Sequence, residues 1–393
     1  MKILITSFTY PPNKDGVAEA ASSLAIGLRE RGWDVEVATE KLDQRKVLSE
    51  GGIPVHEFSI TGTPHRRDPY RGEIVEYYRL LIEGKWDVII FQGYAWPLYL
   101  SLRILDKITA KTILVSHGYG ALVWTRAQKF PFGLGQLFLS AGESIKMLFW
   151  IKKIDSLVFL SKRYDFLNFF DKTLARLVRH RGIKTIPNGI NIDISVLKGS
   201  FRKRINVSEE TIVFLCVANY SRRKDQGYAA RAYRKAVIEN SVLVFIGSEF
   251  NTYSKMFQEH DALMTNDQTL GRIIWLEKVD REETLQAFAD CDIFVLSSSH
   301  EAQPIVLLEA MKEEKPWISR NAGCISEMEG GLCVENEGSM AESMKKLARD
   351  SGLRSHLGNK GLQATRIKYN RKNYLNLYHK IIKDLVVKNI PIQ

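Results

Sequence analysis

A short apolar run that leads through a polar loop into a helix constrains the fold of this chain more than any other feature. Residues 292–296, DIFVL, are apolar almost throughout, as strands of a parallel sheet are. Three serines at 297–299 interrupt the run, and Pro304 suits the first turn of a helix because proline has no N–H to leave unpaired there. The apolar stripe of that helix consists of Leu307, Leu308 and Met311. The stretch predicts a strand–loop–helix unit of an α/β fold.

Two glutamates flank the start of this helix, Glu301 in the loop and Glu309 inside the helix. A helix N-terminus at the carboxyl end of a parallel strand binds anions, because its free N–H groups and the positive end of its dipole face the crevice. In a glycosidase acid/base pair the two carboxyls must face one bond, about 5–9.5 Å apart. Glu301 lies ahead of the helix and Glu309 more than a turn inside it, each placed for a different part of a ligand, so this interpretation is rejected. Taken alone, the pair also fits a loop charge and a solvated helix residue. The order of strand, serine loop, proline and helix favours the anion site.

Length, charge and cysteine content limit the classes of protein to consider. With 393 residues, the chain is long enough for two or three domains. Its net charge of +11 favours acidic partners, namely nucleic acid, anionic lipid or a phosphorylated substrate. The four cysteines lack metal-ligand spacing and indicate reduced core thiols of a cytoplasmic protein. The sequence predicts neither a signal peptide nor a membrane-spanning helix.

Strands and helices alternate through both halves of the chain. The strands are predicted at 3–6, 34–38, 88–91, 112–116 and 157–160 in the first half, and at 212–217, 242–246, 273–276, 293–296 and 317–319 in the second. The first βα loop contains Gly16, but there is no G-x-G-x-x-G, so a dinucleotide site is poorly supported. His117 directly follows a strand, which places it at the carboxyl edge of the sheet. A structural role and a functional role for this histidine are equally open.

Two basic segments carry a choice between a structural and a functional interpretation. Residues 129–153 mix aromatic, aliphatic and lysine side chains, which fits either helices that cover the sheet or a surface that dips into an anionic leaflet. Arg222, Arg223 and Lys224 precede a helix after the first strand of the second half. A basic cluster in that place suits a diphosphate, since its charges add to the helix dipole, although a solvated face remains an alternative.

These residues together resemble the retaining glycosyltransferases of family 4. The E-x7-E signature of that family matches Glu301 and Glu309, and the resemblance extends over nearly the whole chain through Gly16, His117 and Lys224. It implies the GT-B architecture, an α/β fold in which two Rossmann-like domains face an interdomain cleft.

The resemblance also implies the domain limits. The N-terminal, acceptor-side domain is expected at 1–188, with a linker near Asn188. The donor-binding domain is expected at 189–371, and a C-terminal helix at 372–393 is expected to cross back onto the first domain.

In this family a nucleotide sugar is held mainly by the second domain. By resemblance, Lys224 and the backbone N–H groups of Ile305 and Val306 bind its diphosphate, Glu309 accepts from the ribose hydroxyls, and Glu301 lies by the donor sugar. The implied catalytic group is Glu301, His117 and Lys224. The implied donor-binding set is Gly16, Asn219, Arg222, Arg223, Lys224, Lys278, Gln303, Ile305, Val306 and Glu309.

The chain departs from the family pattern at Ala218-Asn219, at Ala302, at Gln303, where an apolar or aromatic residue is common, and at Glu314, which replaces a usual glycine. Ala218-Asn219 replaces the usual Gly-Arg, so the second diphosphate cation is missing there, and Arg222 or Arg223 is the expected substitute. Ala302 replaces the glycine that follows the first glutamate. We expect the contacts to the donor sugar to differ at these positions.

No catalytic metal is expected. The Asp-Cys-Asp at 290–292 resembles the metal-binding D-x-D of other transferases, but it lies where a helix end runs into a buried strand. In retaining enzymes of this kind the departing phosphate itself can take the proton of the acceptor, so no protein base is required.

The predicted function is transfer of a hexose or N-acetylhexosamine from a nucleotide-diphosphate sugar to a glycan or lipid-linked acceptor, with retention of configuration. Bacterial cell-surface polysaccharide synthesis, on the cytoplasmic face of the membrane, is the expected setting. Two alternatives remain: a UDP-sugar 2-epimerase of the same fold, and a non-enzymatic nucleic-acid binder suggested by the net charge of +11. Because the basic residues are spread over both halves, nucleic acid is not an expected partner.

Overall fold

The computed structural model describes the chain except for residues 14, 44, 46–48, 65–67, 120–144, 163–168, 193–198, 265–270 and 388–393. The chain forms two compact units. The first comprises Met1–Asn188 together with Tyr374–Gln393, and the second comprises Gly189–Asn373. Most of the segment 129–153 lies outside the described residues, so its interpretation can be followed only from residue 145 onward.

Within the described residues, the first unit contains a sheet of order β10-β9-β8-β7-β1-β2-β4-β3. All of its pairings are parallel apart from that of β3 with β4. A separate antiparallel pair, β5 and β6, lies outside it. The strands are β1 Lys2–Ser7, β2 Asp34–Glu40, β3 Ser49–Glu50, β4 Ile53–Phe58, β5 Ile60–Thr61, β6 Arg71–Gly72, β7 Val88–Gln92, β8 Lys111–Ser116, β9 Ser156–Phe159 and β10 Ile183–Thr185.

The helices of the first unit begin with α1, Gly16–Arg29, whose N-cap is Asp15. The Asp15 carboxylate accepts from the backbone N–H groups of Val17 and Ala18 at 2.9 and 3.0 Å, which satisfies two donors that the first turn leaves free. The others are α2 Ile74–Glu83, α3 Trp96–Ser101, a 3-10 turn Leu105–Lys107, a helical segment at 145–151 and α4 Phe170–Leu177. The sequence pattern from 96 to 107 predicts one helix, but α3 ends at Ser101, because the N–H groups of Arg103 and Ile104 donate to carbonyls three residues back and not four.

The second unit is built on a wholly parallel sheet of order β13-β12-β11-β14-β15-β16 in its described part. Its strands are β11 Ile212–Val217, β12 Ser241–Gly247, β13 Arg272–Glu277, β14 Ile293–Leu296, β15 Trp317–Arg320 and β16 Gly331–Val334. Its helices are α5 Ser200–Arg204, α6 Gln226–Ala236, α7 Thr252–Met264, α8 Arg281–Asp290, α9 Ile305–Lys312, α10 Glu337–Arg349 and α11 Ser351–Ile367, with a 3-10 turn at Ile325–Glu327. The predicted α/β class with parallel sheets is confirmed.

The last described helix, α12 Arg371–Val387, completes the core of the first unit. Its apolar face packs against α1, where Gly27 leaves room for Leu375: a Cβ on Gly27 would lie 2.4 Å from the Leu375 methyl carbons. The residues of α12 in this core are Tyr374, Leu375, Tyr378, Ile381 and Ile382. Within the described residues, no helix combines the length and the apolar content that crossing a membrane requires.

Candidate active site

An ion pair marks the carboxyl edge of the second sheet. Lys224, in the loop after β11, contacts the Glu301 carboxylate, in the loop after β14, with 2.5 Å between Nζ and Oε1. Both side chains are largely buried, with 18% and 10% of their surface exposed. Since β11 and β14 are neighbours in the sheet, their loops meet at this edge. The topology thus brings together two residues that are 77 positions apart in sequence.

Backbone and side-chain hydrogen bonds hold these two loops to each other. The Ser297 hydroxyl donates to the carbonyl of Lys224 at 2.9 Å, and the N–H of Ser299 donates to the carbonyl of Arg223 at the same distance. From the far side, Gly323 packs against the Glu301 backbone with a φ of +59°, and a Cβ there would lie 2.0 Å from the Glu301 carbonyl oxygen. Only glycine fits this contact, so the position of Glu301 is fixed by its framework.

Helix α9 starts beside this pair. Its N-cap is Pro304, which supplies no side-chain hydrogen bond to the first turn. Pro304 is thus one position earlier than expected, because its extended φ and ψ place it before the first helical residue, Ile305. The N-terminus at Ile305 and Val306 keeps the positive end of the helix dipole without a capping side chain, as an anion site requires.

Glu309 is buried within α9 and has a cationic partner that the sequence interpretation missed. Its Oε1 accepts from the guanidinium of Arg281, the first residue of α8. The Glu309 side chain is 8% exposed, whereas Arg281 is 56% exposed, so the arginine spans from solvent to the buried carboxylate. The only sequence signal for Arg281 is its place just after Asp280, the N-cap of α8, and this does not reveal its partner.

Other predicted donor-binding residues lie around the same sheet edge, with differing environments. Gln303 is buried. Lys278 follows β13 with a φ of +54° and pairs with Glu249 at 3.2 Å. The side chains of Arg222 and Arg223 are exposed. The structure thus brings Lys224 and Glu301 into contact, and it shows no ion pair between Arg222 or Arg223 and any described residue.

A further cation, Arg320 at the end of β15, is one that sequence reasoning missed. Its guanidinium lies 4.5 Å from the ring centre of Tyr228 and 3.1 Å from the carboxylate of Asp225, which directly follows Lys224 in the chain. It also approaches the carbonyl of Ser297 at 3.4 Å. Arg320 therefore supports the Lys224 loop from β15, and it takes a place among the basic groups near this edge.

His117 lies at the carboxyl edge of the first sheet, as predicted from its place after β8. Its Nε2 lies 2.7 Å from the Oε1 of Gln92 at the end of β7. Burial lowers the pKa of His117 to about 4, and the nearby negative charge of Asp15 opposes this only in part. The ring is therefore neutral near pH 7. Gly16 begins α1 with no atom within 4 Å of the point that a Cβ would occupy, so nothing within the described protein excludes a side chain there.

A buried carboxylate contacts Ser116, the residue before His117, and sequence reasoning missed it. Asp171, in the first turn of α4, accepts from the hydroxyls of Ser116 and Tyr94, each at 2.5 Å. Burial raises its pKa to about 6, against the lowering effect of these hydrogen bonds. An acidic residue within an apolar stretch gives no sign of this network in the sequence.

The Asp-Cys-Asp at 290–292 is used for structure. The Asp290 carboxylate accepts from the backbone N–H groups of Gly199 and Phe201 at 2.6 and 2.9 Å. Asp292 accepts from the guanidinium of the buried Arg202 at 2.7 Å and from the N–H of Val213 at 2.8 Å. Both carboxylates are thus engaged in joining α5 to the sheet.

Comparisons with known proteins agree with this geometry. Residues 15–142 match the family model described as glycosyl transferase 4-like domain, and residues 198–364 match that of glycosyl transferases group 1. An uncharacterised glycosyltransferase of Methanocaldococcus jannaschii is 24% identical, with 95% of each chain covered. The N-acetyl-α-D-glucosaminyl L-malate synthase of Bacillus anthracis is 22% identical, with 98% of this chain and 97% of the relative covered.

A solved structure extends the likeness to the fold. Anabaena HepE, in complex with UDP and glucose, superposes with a TM-score of 0.73 at 16% identity, over 98% of this chain and all of the other. The matched family models do not favour the epimerase alternative. With a glycosyltransferase family model matched in each half and a sheet of mainly parallel strands in each unit, this chain is a glycosyltransferase of the GT-B fold.

Proposed function

We propose that the chain is a retaining glycosyltransferase that moves a hexose or N-acetylhexosamine from a nucleotide-diphosphate sugar to a glycan or lipid-linked acceptor. The observation that carries this proposal is the Lys224–Glu301 pair beside the uncapped start of α9. A cation, a helix dipole and a carboxylate at one sheet edge suit a diphosphate joined to a sugar. HepE, with UDP and glucose bound, supports a uridine nucleotide as the donor.

In the proposed reaction, the bond from the anomeric carbon to phosphate breaks and leaves negative charge on the nucleoside diphosphate. Lys224 and the N–H groups of Ile305 and Val306 oppose that charge, and fixed donors of this kind stabilise a transition state without reorganising. Donor binding requires Lys224 to turn from Glu301 toward the phosphates, which frees the Glu301 carboxylate for the donor sugar. The acceptor oxygen bonds to the anomeric carbon in place of the phosphate, and the departing phosphate takes the proton of that acceptor hydroxyl.

We propose roles for three further residues. Arg281 holds Glu309 in one orientation, and the ribose hydroxyls of the donor donate to this carboxylate. His117, neutral because its pKa is near 4, serves as a hydrogen-bonding group for the sugar or the acceptor and not as a charge. For Gly16, which has no side chain, we propose that it lets the backbone approach the phosphates.

The main test is donor binding by variants. Lys224→Ala and Glu309→Ala should each weaken the binding of UDP-sugars by about tenfold or more, since each removes a charged hydrogen-bonding group. Isothermal titration calorimetry measures the affinity, and circular dichroism checks the fold. Lys345→Ala, an α10 variant whose native partner is Glu342 at 3.0 Å, is the matched control. Unchanged affinity in both site variants would overturn the proposed donor site.

Retention and metal independence are tested on the product. The anomeric configuration of the newly formed bond, read by NMR, should equal that of the donor. Activity should persist in EDTA, because Asp290 and Asp292 are engaged by Arg202 and backbone N–H groups. Inversion of the anomeric centre contradicts the retaining mechanism, and full loss of activity in EDTA contradicts the metal-free one.

We propose a setting in bacterial cell-surface polysaccharide synthesis, with the protein at the cytoplasmic face of the membrane. The segment 145–151 supports this, because Phe149 is 73% exposed and Ile145 is 54% exposed beside exposed lysines, while Met147 and Ile151 are buried. Phosphatidylglycerol vesicles should sediment the protein at low salt, and Phe149→Ser should reduce this. Equal sedimentation of Phe149→Ser and the native chain would remove the membrane proposal.

A further inference from the structure

The first unit contains a cavity of about 170 Å³ that the proposed donor site does not use. Pockets for drug-sized ligands are commonly about 300–1,000 Å³, so this cavity suits a single ring and not a nucleotide sugar. Its described lining is Pro64, Tyr70, Tyr99, Leu102, Arg103, Tyr119, Lys146, Met147 and Trp150. We call this cavity the aromatic pocket.

The wall of the aromatic pocket is made rigid from behind. Tyr94 packs on Tyr119 and Trp150, with ring centres 4.6 and 6.1 Å apart. The Tyr94 hydroxyl is in turn held by the buried carboxylate of Asp171 at 2.5 Å. A wall whose rings are already ordered loses little conformational entropy when a ligand binds. Flat aromatic faces of this kind take up the C–H faces of a sugar ring, which are its apolar surfaces.

Two cations at the rim of the aromatic pocket lack an acidic partner among the described residues. Neither Arg103 nor Lys146 forms an ion pair within the part of the chain that the structure describes, and both side chains are exposed. The neighbouring basic residue Lys153, which does not line the pocket, is neutralised by Asp106 at 3.0 Å. Burial raises the pKa of Tyr70, and the Arg103 charge lies near enough to its hydroxyl to oppose this rise. The pocket therefore combines an apolar wall with positive charge at its rim.

We propose that the aromatic pocket binds the acceptor through a sugar ring that carries a carboxylate or a phosphate, with the ring on Tyr119 and Trp150 and the anion on Arg103 and Lys146. This assignment of an anionic acceptor rests on the proposed glycosyl transfer. Arginine binds carboxylate or phosphate through two parallel N–H donors, and lysine adds a point charge, so the pair selects anionic over neutral sugars.

Binding is tested without any donor, so that the result does not depend on transfer. Saturation-transfer NMR and calorimetry with glucuronate, glucose 6-phosphate and glucose measure the affinity of the full chain. We expect the two anionic sugars to bind at least about tenfold more tightly than glucose, and Arg103→Ala and Lys146→Ala each to remove most of that difference. Lys107→Ala, an exposed lysine of the neighbouring 3-10 turn outside the pocket, is the control and should leave it unchanged.

Three outcomes would overturn the proposal. These are equal binding of glucose and the anionic sugars, no loss of binding in Arg103→Ala and Lys146→Ala, or no binding of any of these sugars. A fourth result also counts against it: if phosphatidylglycerol vesicles bind through Arg103 and Lys146 while neither anionic sugar does, the pocket is a lipid headgroup site. A UDP-sugar titration of Arg103→Ala, expected to match the native chain, separates failure here from failure of the donor site.

Discussion

At the scale of single residues, buried ionisable groups at the first sheet edge have opposite effects on stability. Asp171 has a raised pKa and His117 a lowered one, both because burial disfavours the charged form. Below the unfolded pKa of 3.8, the protonated Asp171 makes its full contribution to the free energy of unfolding. This contribution is lost as the pH rises through the folded pKa of about 6. For His117 the contribution is present above 6.5 and is lost as pH falls toward about 4. Between about pH 4 and pH 6 the two contributions to the free energy of unfolding therefore change with pH in opposite directions.

The Asp171→Asn variant should therefore show the pH dependence of unfolding that comes from His117, without the opposing contribution of Asp171. At 1.36 kcal/mol per pKa unit, the rise from 3.8 to about 6 corresponds to about 3 kcal/mol. We expect the free energy of unfolding of Asp171→Asn, relative to the native chain, to increase by about this amount between pH 4 and pH 7. Urea unfolding at both pH values measures it. A difference between the two proteins that is the same at pH 4 and pH 7 would contradict the assignment to Asp171.

At the scale of elements, the contact of α1 with α12 depends on a missing side chain. Gly27→Val should destabilise the first unit by roughly 1–3 kcal/mol, because a Cβ would lie 2.4 Å from Leu375 in a packed core. Leu375→Ala in the same chain should recover part of this loss, so that the two effects are not additive. Chemical denaturation of the single and double variants measures the coupling.

The control for this contact is Gly352→Ala in the first turn of α11. Gly352 is exposed, and its nearest neighbour to a new Cβ is the Asp350 carboxylate at 3.4 Å, so this change should be neutral or slightly stabilising. Strictly additive effects of Gly27→Val and Leu375→Ala would show that the close approach of α1 and α12 is not the cause of the destabilisation.

An element can be predicted from the sequence when the residues that determine it lie within it or next to it. The strand before Glu301 is predictable within a residue, because an apolar run bounded by serines needs no distant information. Strand β4 escapes sequence prediction, since Pro54 and the polar residues within it obscure the alternation. The pairing of Glu309 with Arg281 is not predictable, because it depends on how α8 packs beside α9. The resemblance implies only that Lys224 and Glu301 both lie by the donor; their direct contact depends on the order of strands in the sheet.

At the scale of the whole molecule, the division of the chain predicts that the second unit can fold alone and that the first unit needs the C-terminal helix. The second unit is one continuous segment, Gly189–Asn373, and should fold when expressed alone. Deleting the residues from Tyr374 onward removes five buried side chains from the core of the first unit. We expect the first unit of the truncated chain to be unfolded already at low denaturant, so that its transition disappears. The unfolding transition of the second unit should remain.

Fluorescence and circular dichroism along a guanidinium gradient separate these transitions, with the fragment Gly189–Asn373 as the reference for the second unit. If truncation leaves both transitions of the full chain in place, α12 is not required for the first core, and the buried positions of Tyr378 and Ile382 contribute little to stability.

The return of α12 to the first unit also sets an order of events during translation. Domains made first usually fold first as the chain leaves the ribosome. Here the first unit lacks Tyr374, Leu375 and Tyr378 until the entire second unit has been synthesised. The second unit therefore completes its core earlier, although it is made later. The nascent first unit, with the α12-facing side of α1 still uncovered, is the part of this chain that chaperones would meet.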